Sequence, residues 1–289
     1  MTDIRRPLAL LLAALATYAL LLGPFTDYMK HKPIEEKLGY LPATNVLKYC
    51  SADHREFVAA SLVMKVVMYF GGMTEKQAAN AINLSPDYRG MSRILHTAVQ
   101  LNPYNLDAYY FAQSFLSWEV KQYKVANDLL DYGMKYRTWD WYLPFFAGFN
   151  SAYFLKDYPK AATYYKRAGE LSGSDLYKRL AGRYLQVSGQ TELAIVYLSA
   201  MEKGERNPAV KKNYQVRLEA FKQVRRIEMA RNNFLKSGAK LPFTLDDLVR
   251  AGMLGSVPVD PYGGEFYLEP DGRVATTSKF AYYAGSKNP

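Results

Sequence analysis

Arg179 and Arg183 have the spacing in this sequence that most directly suggests chemistry. They lie four residues apart within a helical pattern, which places both guanidinium groups on one face of a helix. Their like charges repel slightly unless an acidic group lies between them. Two guanidinium groups so placed can clamp a carboxylate, such as a peptide C-terminus or an acidic segment. The alternative is a solvated pair of arginines on an exposed helix.

Motifs for catalysis, cofactors and metals are absent from the sequence. It contains no P-loop, GxGxxG, GxSxG or HExxH pattern. The single cysteine, Cys50, excludes an intramolecular disulfide and any CxxC motif, and we interpret it as an inert, partly buried thiol rather than a nucleophile. The histidines His31, His54 and His96 are isolated. We predict no catalytic residue, metal or cofactor, and the alternative is an active site of scattered residues acting on cell-envelope glycans.

The composition indicates a folded, basic protein. Of 289 residues, 49% are apolar, which excludes wholesale disorder, and an aromatic content of 15% suits packed helices. There are 37 basic and 27 acidic side chains, so the net charge is +10. This excess favours a partner with an anionic surface, namely lipid headgroups, acidic polysaccharide, nucleic acid or an acidic protein.

The N-terminal segment predicts a membrane anchor. After Arg5 and Arg6, residues 7–25 carry no charge, and this run of 19 residues is just long enough to cross a bilayer as a helix. A cleaved signal peptide is the alternative, but no convincing cleavage site follows Phe25. The paired arginines favour a cytoplasmic location for residues 1–6. We predict a single-pass protein of the bacterial inner membrane, mostly periplasmic, and this location argues against nucleic acid as a partner.

The segment after the anchor leads into the first predicted hairpin. Residues 26–52 are predicted to be a linker, and Ser51 or Asp53 would cap the next helix. The apolar run 54–70 is too charged at its start and too short to be a second span. We predict that it is the first helix of a helical hairpin and that Gly71-Gly72 ends it.

One helical stripe recurs along the middle of the chain. In the segment 157–171, Tyr158, Ala161, Tyr165 and Ala168 fall at spacings of 3, 4 and 3, which is one face of a helix. Equivalent positions recur at intervals of 35, 35 and 33 residues, at Met91, Ala126, Ala161 and Ala194. A near-constant period over four segments indicates a repeat array.

These residues resemble the tetratricopeptide (TPR) repeat, a helical hairpin of about 34 residues with small side chains where its helices cross closely. The predicted repeats cover residues 53–206 and are degenerate, since Lys178 replaces an expected aromatic. The resemblance implies an array of α-hairpins, an α-solenoid, whose first helices line a partner-binding groove. Carried onto this chain, the groove positions are Ala112, Leu116, Glu119, Ala147, Ser151, Phe154, Arg179, Arg183 and Gln186.

A long basic helix is predicted from 209 to 237, after the repeats. Asn207 is expected to cap it and Pro208 to occupy its first position. An apolar stripe runs along it, while its other faces carry eight basic residues against two acidic ones. These charges indicate either a solvated face or a site for an anionic polymer or lipid that includes Arg225 and Arg226.

The C-terminal region, residues 207–289, adds a small α+β module to the long helix. Thr244 is predicted to cap a short helix, and Pro270-Asp271-Gly272 predicts the turn of a β-hairpin. This order of elements resembles the globular part of type II secretion major pseudopilins. In this resemblance Asp260 and Asp271 correspond to the calcium-binding region of that family. We interpret both as turn-forming residues instead.

The sequence therefore predicts a mainly α fold: an N-terminal transmembrane helix, a TPR-like α-hairpin array, and an α+β module with a long helix and a β-hairpin. The predicted function is a membrane-anchored periplasmic scaffold that binds a protein partner of an envelope assembly, such as a secretion, pilus or polysaccharide-export system. The alternative is a module that binds an anionic polymer, glycan or lipid through the basic helix.

Overall fold

The structure of the protein, a computed structural model, describes residues 5–31, 38–80 and 85–280. Residues 1–4 of the predicted cytoplasmic N-terminus and residues 281–289 of the predicted C-terminal module lie outside the described residues. Over the described ranges the chain is mainly α-helical with a small antiparallel sheet near its C-terminus, so the predicted fold class is confirmed.

The first of two compact units comprises Met1–Ala112 and begins with the helix α1, Arg5–His31. This helix continues through Pro24. Its segment Pro7–Met29 is long and apolar enough to cross a membrane, and none of it is buried within the described chain. The length and composition of α1 are therefore those expected of the predicted anchor.

The remaining helices of this unit are α2 (Thr44–Cys50), α3 (Arg55–Ala78), α4 (Tyr88–Leu101) and most of α5 (Leu106–Ser114). Helices α3 and α4 pack against each other, which confirms the first predicted hairpin. Met91, the repeat position in α4, is fully buried. The hairpin forms because each helix presents an apolar stripe that it cannot bury alone.

The predicted end of the first hairpin helix is wrong. Helix α3 continues through Gly71-Gly72 to Ala78. Two glycines inside a helix cost about 1 kcal/mol each relative to alanine. Tyr69 and Met73, on either side of the pair, are both buried, so packing of the helix outweighs this cost.

The described part of the predicted linker from residue 38 onward has more structure than expected. Leu38 and Leu41 are buried, and the linker contains α2. Neither proposed residue caps α3, because that helix follows His54, and the hydroxyl of Ser51 donates instead to the carbonyl oxygen of Leu47, 2.5 Å away. The segment therefore belongs to the first unit.

The second compact unit, Gln113–Pro289, is a succession of helices in which each packs against the next. They are α6 (Tyr123–Tyr136), α7 (Tyr142–Phe149), α8 (Tyr158–Ser172), α9 (Asp175–Val187), α10 (Thr191–Gly204) and α11 (Pro208–Lys236). The repeat positions Ala126, Ala161 and Ala194 have no exposed surface. This burial confirms the register of the repeat, since only small side chains allow two helices to cross closely.

The C-terminal module packs on the long helix α11. Asn207 caps this helix, as predicted, by accepting from the backbone N–H groups of Ala209 and Val210 at 3.0 and 3.4 Å. A short helix α12 (Leu245–Arg250) follows, and Thr244 forms the predicted cap.

A β-hairpin completes the described part of the module. Strand β1 (Phe266–Leu268) pairs antiparallel with β2 (Val274–Thr276), in the register that places Tyr267 opposite Ala275. Phe266 and Val274 point into the core formed with α11. The β-hairpin predicted around the Pro270-Asp271-Gly272 turn is therefore confirmed.

Candidate functional site

A cavity of about 240 Å³ lies between α9, α11 and the β-hairpin. Helix α9 contributes Arg183 and Gln186, which sequence analysis placed in a binding groove. The β-hairpin covers these positions, so they line a cavity that no repeat register predicts. The lining residues are Arg183, Gln186, Val187, Glu228, Arg231, Tyr267, Glu269, Arg273, Val274, Ala275, Thr276, Lys279 and Phe280.

The turn of the β-hairpin is tied to α11 by a close backbone contact. Arg231 donates from Nη1 to the carbonyl oxygen of Gly272 at 2.7 Å. Gly272 has a positive φ of 83°, and a Cβ atom there would lie 3.0 Å from Leu241. Only glycine adopts this conformation without strain, so the residue type fixes how the hairpin meets the helix.

The basic side chains of the cavity differ in whether they form ion pairs with acidic residues. Arg273 lies 2.7 Å from the carboxylate of Glu269 and 2.6 Å from that of Asp271. Among the described residues, the side chains of Arg183, Arg231 and Lys279 have no acidic partner within ion-pair distance, but Arg231 is hydrogen-bonded to the carbonyl oxygen of Gly272. The cavity therefore has an excess of positive charge, and Arg183 is its half-buried unpaired member.

Glu228 is the acidic group on the helical wall of the cavity. Its carboxylate accepts from the hydroxyl of Thr191 at 2.8 Å. Burial raises the pKa of Glu228 above its ordinary value, while the Thr191 hydrogen bond and the charges of Arg231 and Arg225 act in the opposite direction.

We expect Glu228→Gln to stabilise the protein at neutral pH. The raised pKa means that the folded chain holds this proton more tightly than the unfolded chain, so stability is lost as pH rises from 4.5 through the folded pKa. Glutamine keeps the acceptor for Thr191 and removes that loss. Urea unfolding should show a gain at pH 7 that disappears below about pH 4.5. Exposed Glu219→Gln is the control, and destabilisation by Glu228→Gln at pH 7 would contradict the argument.

Arg217, beside the cavity, is a buried cation with only 7% of its surface exposed. It donates from Nε to the hydroxyl of Tyr262 at 3.1 Å and from Nη2 to the carbonyl oxygen of Phe280 at 2.6 Å. Burial lowers the pKa of Arg217, the Tyr262 hydroxyl opposes this, and the like charges of Arg179 and Arg183 lower it further. Three guanidinium groups therefore share a small region.

The structure separates the predicted arginine pair. Arg179 Nε lies 2.8 Å from the carboxylate of Asp175 on its own helix, so Arg179 already has a carboxylate partner. Burial and the nearby Asp175 also raise the pKa of Tyr214. The prediction of a symmetrical clamp by Arg179 and Arg183 is therefore corrected: of these two arginines, Arg183 is the one without a carboxylate partner among the described residues.

Ser151 cannot contact a partner, because it is fully buried. Its hydroxyl accepts from Asn127 Nδ2 at 3.0 Å, and Asn127 Oδ1 accepts from Asn150 Nδ2 at 3.0 Å. The expected neighbours of Ser151 in the groove are also fully buried; they are Ala112, Leu116 and Ala147. The register carried from the resemblance is therefore wrong for these positions, where helix-to-helix packing uses the face expected to line the groove.

Phe154 and Glu119 lie in π-helical turns, Asn150–Phe154 and Phe115–Glu119, that follow α7 and α5. Phe154 is stacked on Tyr123 with ring centroids 4.2 Å apart, and Glu119 is exposed. Neither residue lines the cationic cavity. Their proposed role in partner binding stays a prediction.

Four of the eight basic side chains of the long helix α11 form hydrogen bonds or ion pairs with other groups of the protein. Arg217 and Arg231 make the contacts described above, Arg225 lies 2.8 Å from Glu192, and Lys211 lies 3.6 Å from Glu202. The remaining four are exposed; they are Lys212, Lys222, Arg226 and Lys236. A solvated face therefore describes half of these charges, and anion binding by the helix stays a prediction.

Asp260 and Asp271 have structural partners in the C-terminal module. Asp260 is 2% exposed and accepts from the hydroxyls of Thr276 and Ser278 and from the backbone of Tyr262. Asp271 accepts from the backbone N–H of Arg273 at 3.0 Å within the hairpin turn. Both contacts support the interpretation as turn-forming residues.

Comparisons with known proteins find several similar solved structures, and YrrB and MamA are two of them. No family model and no curated protein matches the chain. The crystal structure of YrrB, described as a TPR protein with an unusual peptide-binding site, is 17% identical, with 63% of this chain and 86% of that chain covered and a TM-score of 0.36. A structure of MamA (AMB-1, P212121) is 14% identical, with coverages of 56% and 95% and a TM-score of 0.33. The function proposed for this chain therefore rests on its own residues.

Proposed function

We propose that this chain is a membrane-anchored scaffold that binds an acidic segment of a protein partner at the cationic cavity. The observation that carries the proposal is Arg183, a half-buried cation without an acidic partner, beside the desolvated cation Arg217. A carboxylate bound to Arg183 in the cavity would offset the repulsion between the two guanidinium groups. Charge-assisted hydrogen bonds of this kind are about twice as strong as neutral ones.

A protein ligand fits this cavity better than an extended anionic polymer does. Its volume of about 240 Å³ accommodates one or two side chains rather than a long strand. Its wall also includes the apolar or aromatic residues Val187, Tyr267 and Phe280, which suit a peptide segment with mixed chemistry. The proposed role is non-enzymatic.

The proposed location follows from α1. A helix of this length and apolarity supports a single membrane span, and the arginines before it favour a cytoplasmic N-terminus. The scaffold would then act on the periplasmic side of a bacterial inner membrane, within an envelope assembly such as a secretion, pilus or polysaccharide-export system. The pseudopilin-like order of the C-terminal module supports a secretion-type assembly.

We expect a photo-crosslinker at Val187 to capture a protein partner in cells. Benzoylphenylalanine at this position faces the cavity, whereas the same group at Val196, which is 59% exposed on α10, lies outside it. Irradiation should give an adduct of defined mass from position 187 only. Adding Arg183→Glu should reduce that adduct at least tenfold, because the reversed charge repels the acidic ligand.

Arg226→Glu is the matched control for this experiment. Arg226 is exposed on α11 and is not part of the cavity, so its reversal should leave the adduct unchanged. Loss of the adduct with Arg226→Glu but not with Arg183→Glu would refute binding at the cavity and move the partner-binding site to the exposed face of α11. Equal adducts from Val187 and Val196 would refute a specific cavity.

A further inference from the structure

Helix α3 has an exposed face without charge that extends over five helical turns. Its exposed residues between positions 57 and 74 are Phe57, Ala60, Ser61, Met64, Val67, Met68, Gly71 and Thr74. Phe57, Met64 and Met68 are 73%, 60% and 67% exposed. A helix exposed to water normally carries charged or polar residues on its outer face, so this face is built for an apolar environment.

The hydroxyl groups on this face form their hydrogen bonds within the helix and need none from water. Ser61 Oγ donates to the carbonyl oxygen of Phe57 at 2.9 Å. Thr74 Oγ1 lies 3.1 Å from the carbonyl oxygen of Phe70 and 2.9 Å from that of Gly71. Polar groups in an apolar solvent must be satisfied within their own segment, and these two are. This pattern favours lipid over a protein partner that recognises the face by hydrogen bonds.

The opposite face of α3 prevents the helix from crossing the membrane. Val63 and Val66 are buried on that side, where α3 packs on α4. The outer face of α4 carries the exposed residues Arg89 and Arg93. A membrane-spanning α3 would take these arginines into the hydrocarbon, at a cost of several kcal/mol. An orientation parallel to the bilayer surface avoids this cost.

The chain itself holds this hairpin close to a membrane. Helix α1 ends at His31, and Leu38 is already buried in the first unit, beside Gly90. A fully extended chain advances about 3.3–3.6 Å per residue, so the link between them spans no more than about 25 Å. Tyr40 and Tyr49 follow this link and are 84% and 88% exposed. Tyrosine is enriched at membrane interfaces.

We propose that the exposed face of α3 inserts into the surface of the bilayer that α1 crosses. The helix lies in the membrane plane with Phe57, Met64 and Met68 about 5–10 Å deep, at the boundary between headgroups and acyl chains. The first unit is thereby fixed in orientation as well as tethered. This inference rests on the proposed membrane anchor.

A depth-sensitive fluorophore on the full chain tests this arrangement. The exposed cysteine is removed by Cys50→Ser, and Met64→Cys carries an NBD group in vesicles of phosphatidylcholine with or without doxyl-labelled phosphatidylcholine. We expect blue-shifted emission and at least twofold quenching by the doxyl lipid. Arg93→Cys, on the outer face of α4, is the matched control and should stay unquenched. Adding Met68→Glu should remove the quenching at position 64.

Each result has a defined meaning. An unquenched probe at Met64 overturns the inference, and blue-shifted emission without doxyl quenching does so as well, because a second copy or another protein then covers the face. Leu12→Cys within α1 reports the anchor separately. Quenching at Leu12 without quenching at Met64 refutes only the α3 inference, whereas no quenching at Leu12 refutes the anchor.

Discussion

Gly182→Val is expected to destabilise the protein by about 1–3 kcal/mol. A Cβ atom at Gly182 would lie 2.8, 2.9 and 3.0 Å from the Cδ2, Cγ and Cδ1 atoms of Leu198. Leu198, on α10, is fully buried against the neighbouring helices, so its side chain has no space in which to adopt another rotamer. Valine adds further methyl groups at this crossing, and close-packed interiors absorb such volume only by strain.

Truncation of the opposing side chain should reverse the effect of Gly182→Val. Leu198→Ala alone should cost about 2–5 kcal/mol through lost burial and a cavity. In the double variant, valine occupies part of the space left by Leu198, so the total loss should be smaller than the sum by about 0.5–3 kcal/mol. Urea unfolding of all three variants gives this coupling directly.

Gly204→Ala is the control for the crossing. Gly204 ends α10, and a Cβ atom there would meet nothing within 4 Å, so the change should stay within about 0.5 kcal/mol. An equally harmless Gly182→Val, or strict additivity with Leu198→Ala, would contradict the close contact of α9 and α10.

Arg217→Ala is expected to loosen the C-terminal module. The change leaves the carbonyl oxygen of Phe280 and the hydroxyl of Tyr262 without their donor. The Phe280 carbonyl bond is buried, and an unsatisfied buried acceptor costs about 1–3 kcal/mol, whereas the half-buried Tyr262 hydroxyl adds less. Because Phe280 is also part of the cavity wall, we expect the Val187 photo-adduct to fall together with stability.

Two substitutions separate the roles of the Arg217 charge and stem. Arg217→Met keeps the apolar stem and removes a desolvated cation, so it should cost less than Arg217→Ala. Arg217→Lys keeps the charge but not the fork that bonds two acceptors, so it should not restore wild-type stability. Full stability of Arg217→Ala in thermal unfolding would show that these hydrogen bonds do not hold the module.

Local sequence rules determined several elements of this protein. The spacing of Ala126, Ala161 and Ala194 defined where helices cross, because a crossing tolerates only small residues and the repeat period carries that requirement along the chain. The cap by Asn207 and the turn at Gly272 were also predictable, because the cap and the turn each depend on residues only a few positions apart.

Sequence reasoning failed where packing competed with local pattern. Gly71-Gly72 does not end α3, because burial of Tyr69 and Met73 offsets the helix penalty of the glycines. Ser151 was placed in a groove by the register that the TPR resemblance implies. In this chain the buried amide of Asn127 needs a hydrogen-bond partner, and Ser151 supplies it.

The tertiary structure alone decided which cations line one cavity. Sequence spacing paired Arg179 with Arg183, but Asp175 neutralises the first and leaves the second free. The cavity joins Arg183 to Arg231 and Arg273, which lie on three different elements far apart in the chain. The Asp175–Arg179 pair is a local contact between residues four apart on one helix, whereas the meeting of Arg183 with Arg231 and Arg273 depends on which distant groups the fold brings within a few ångströms.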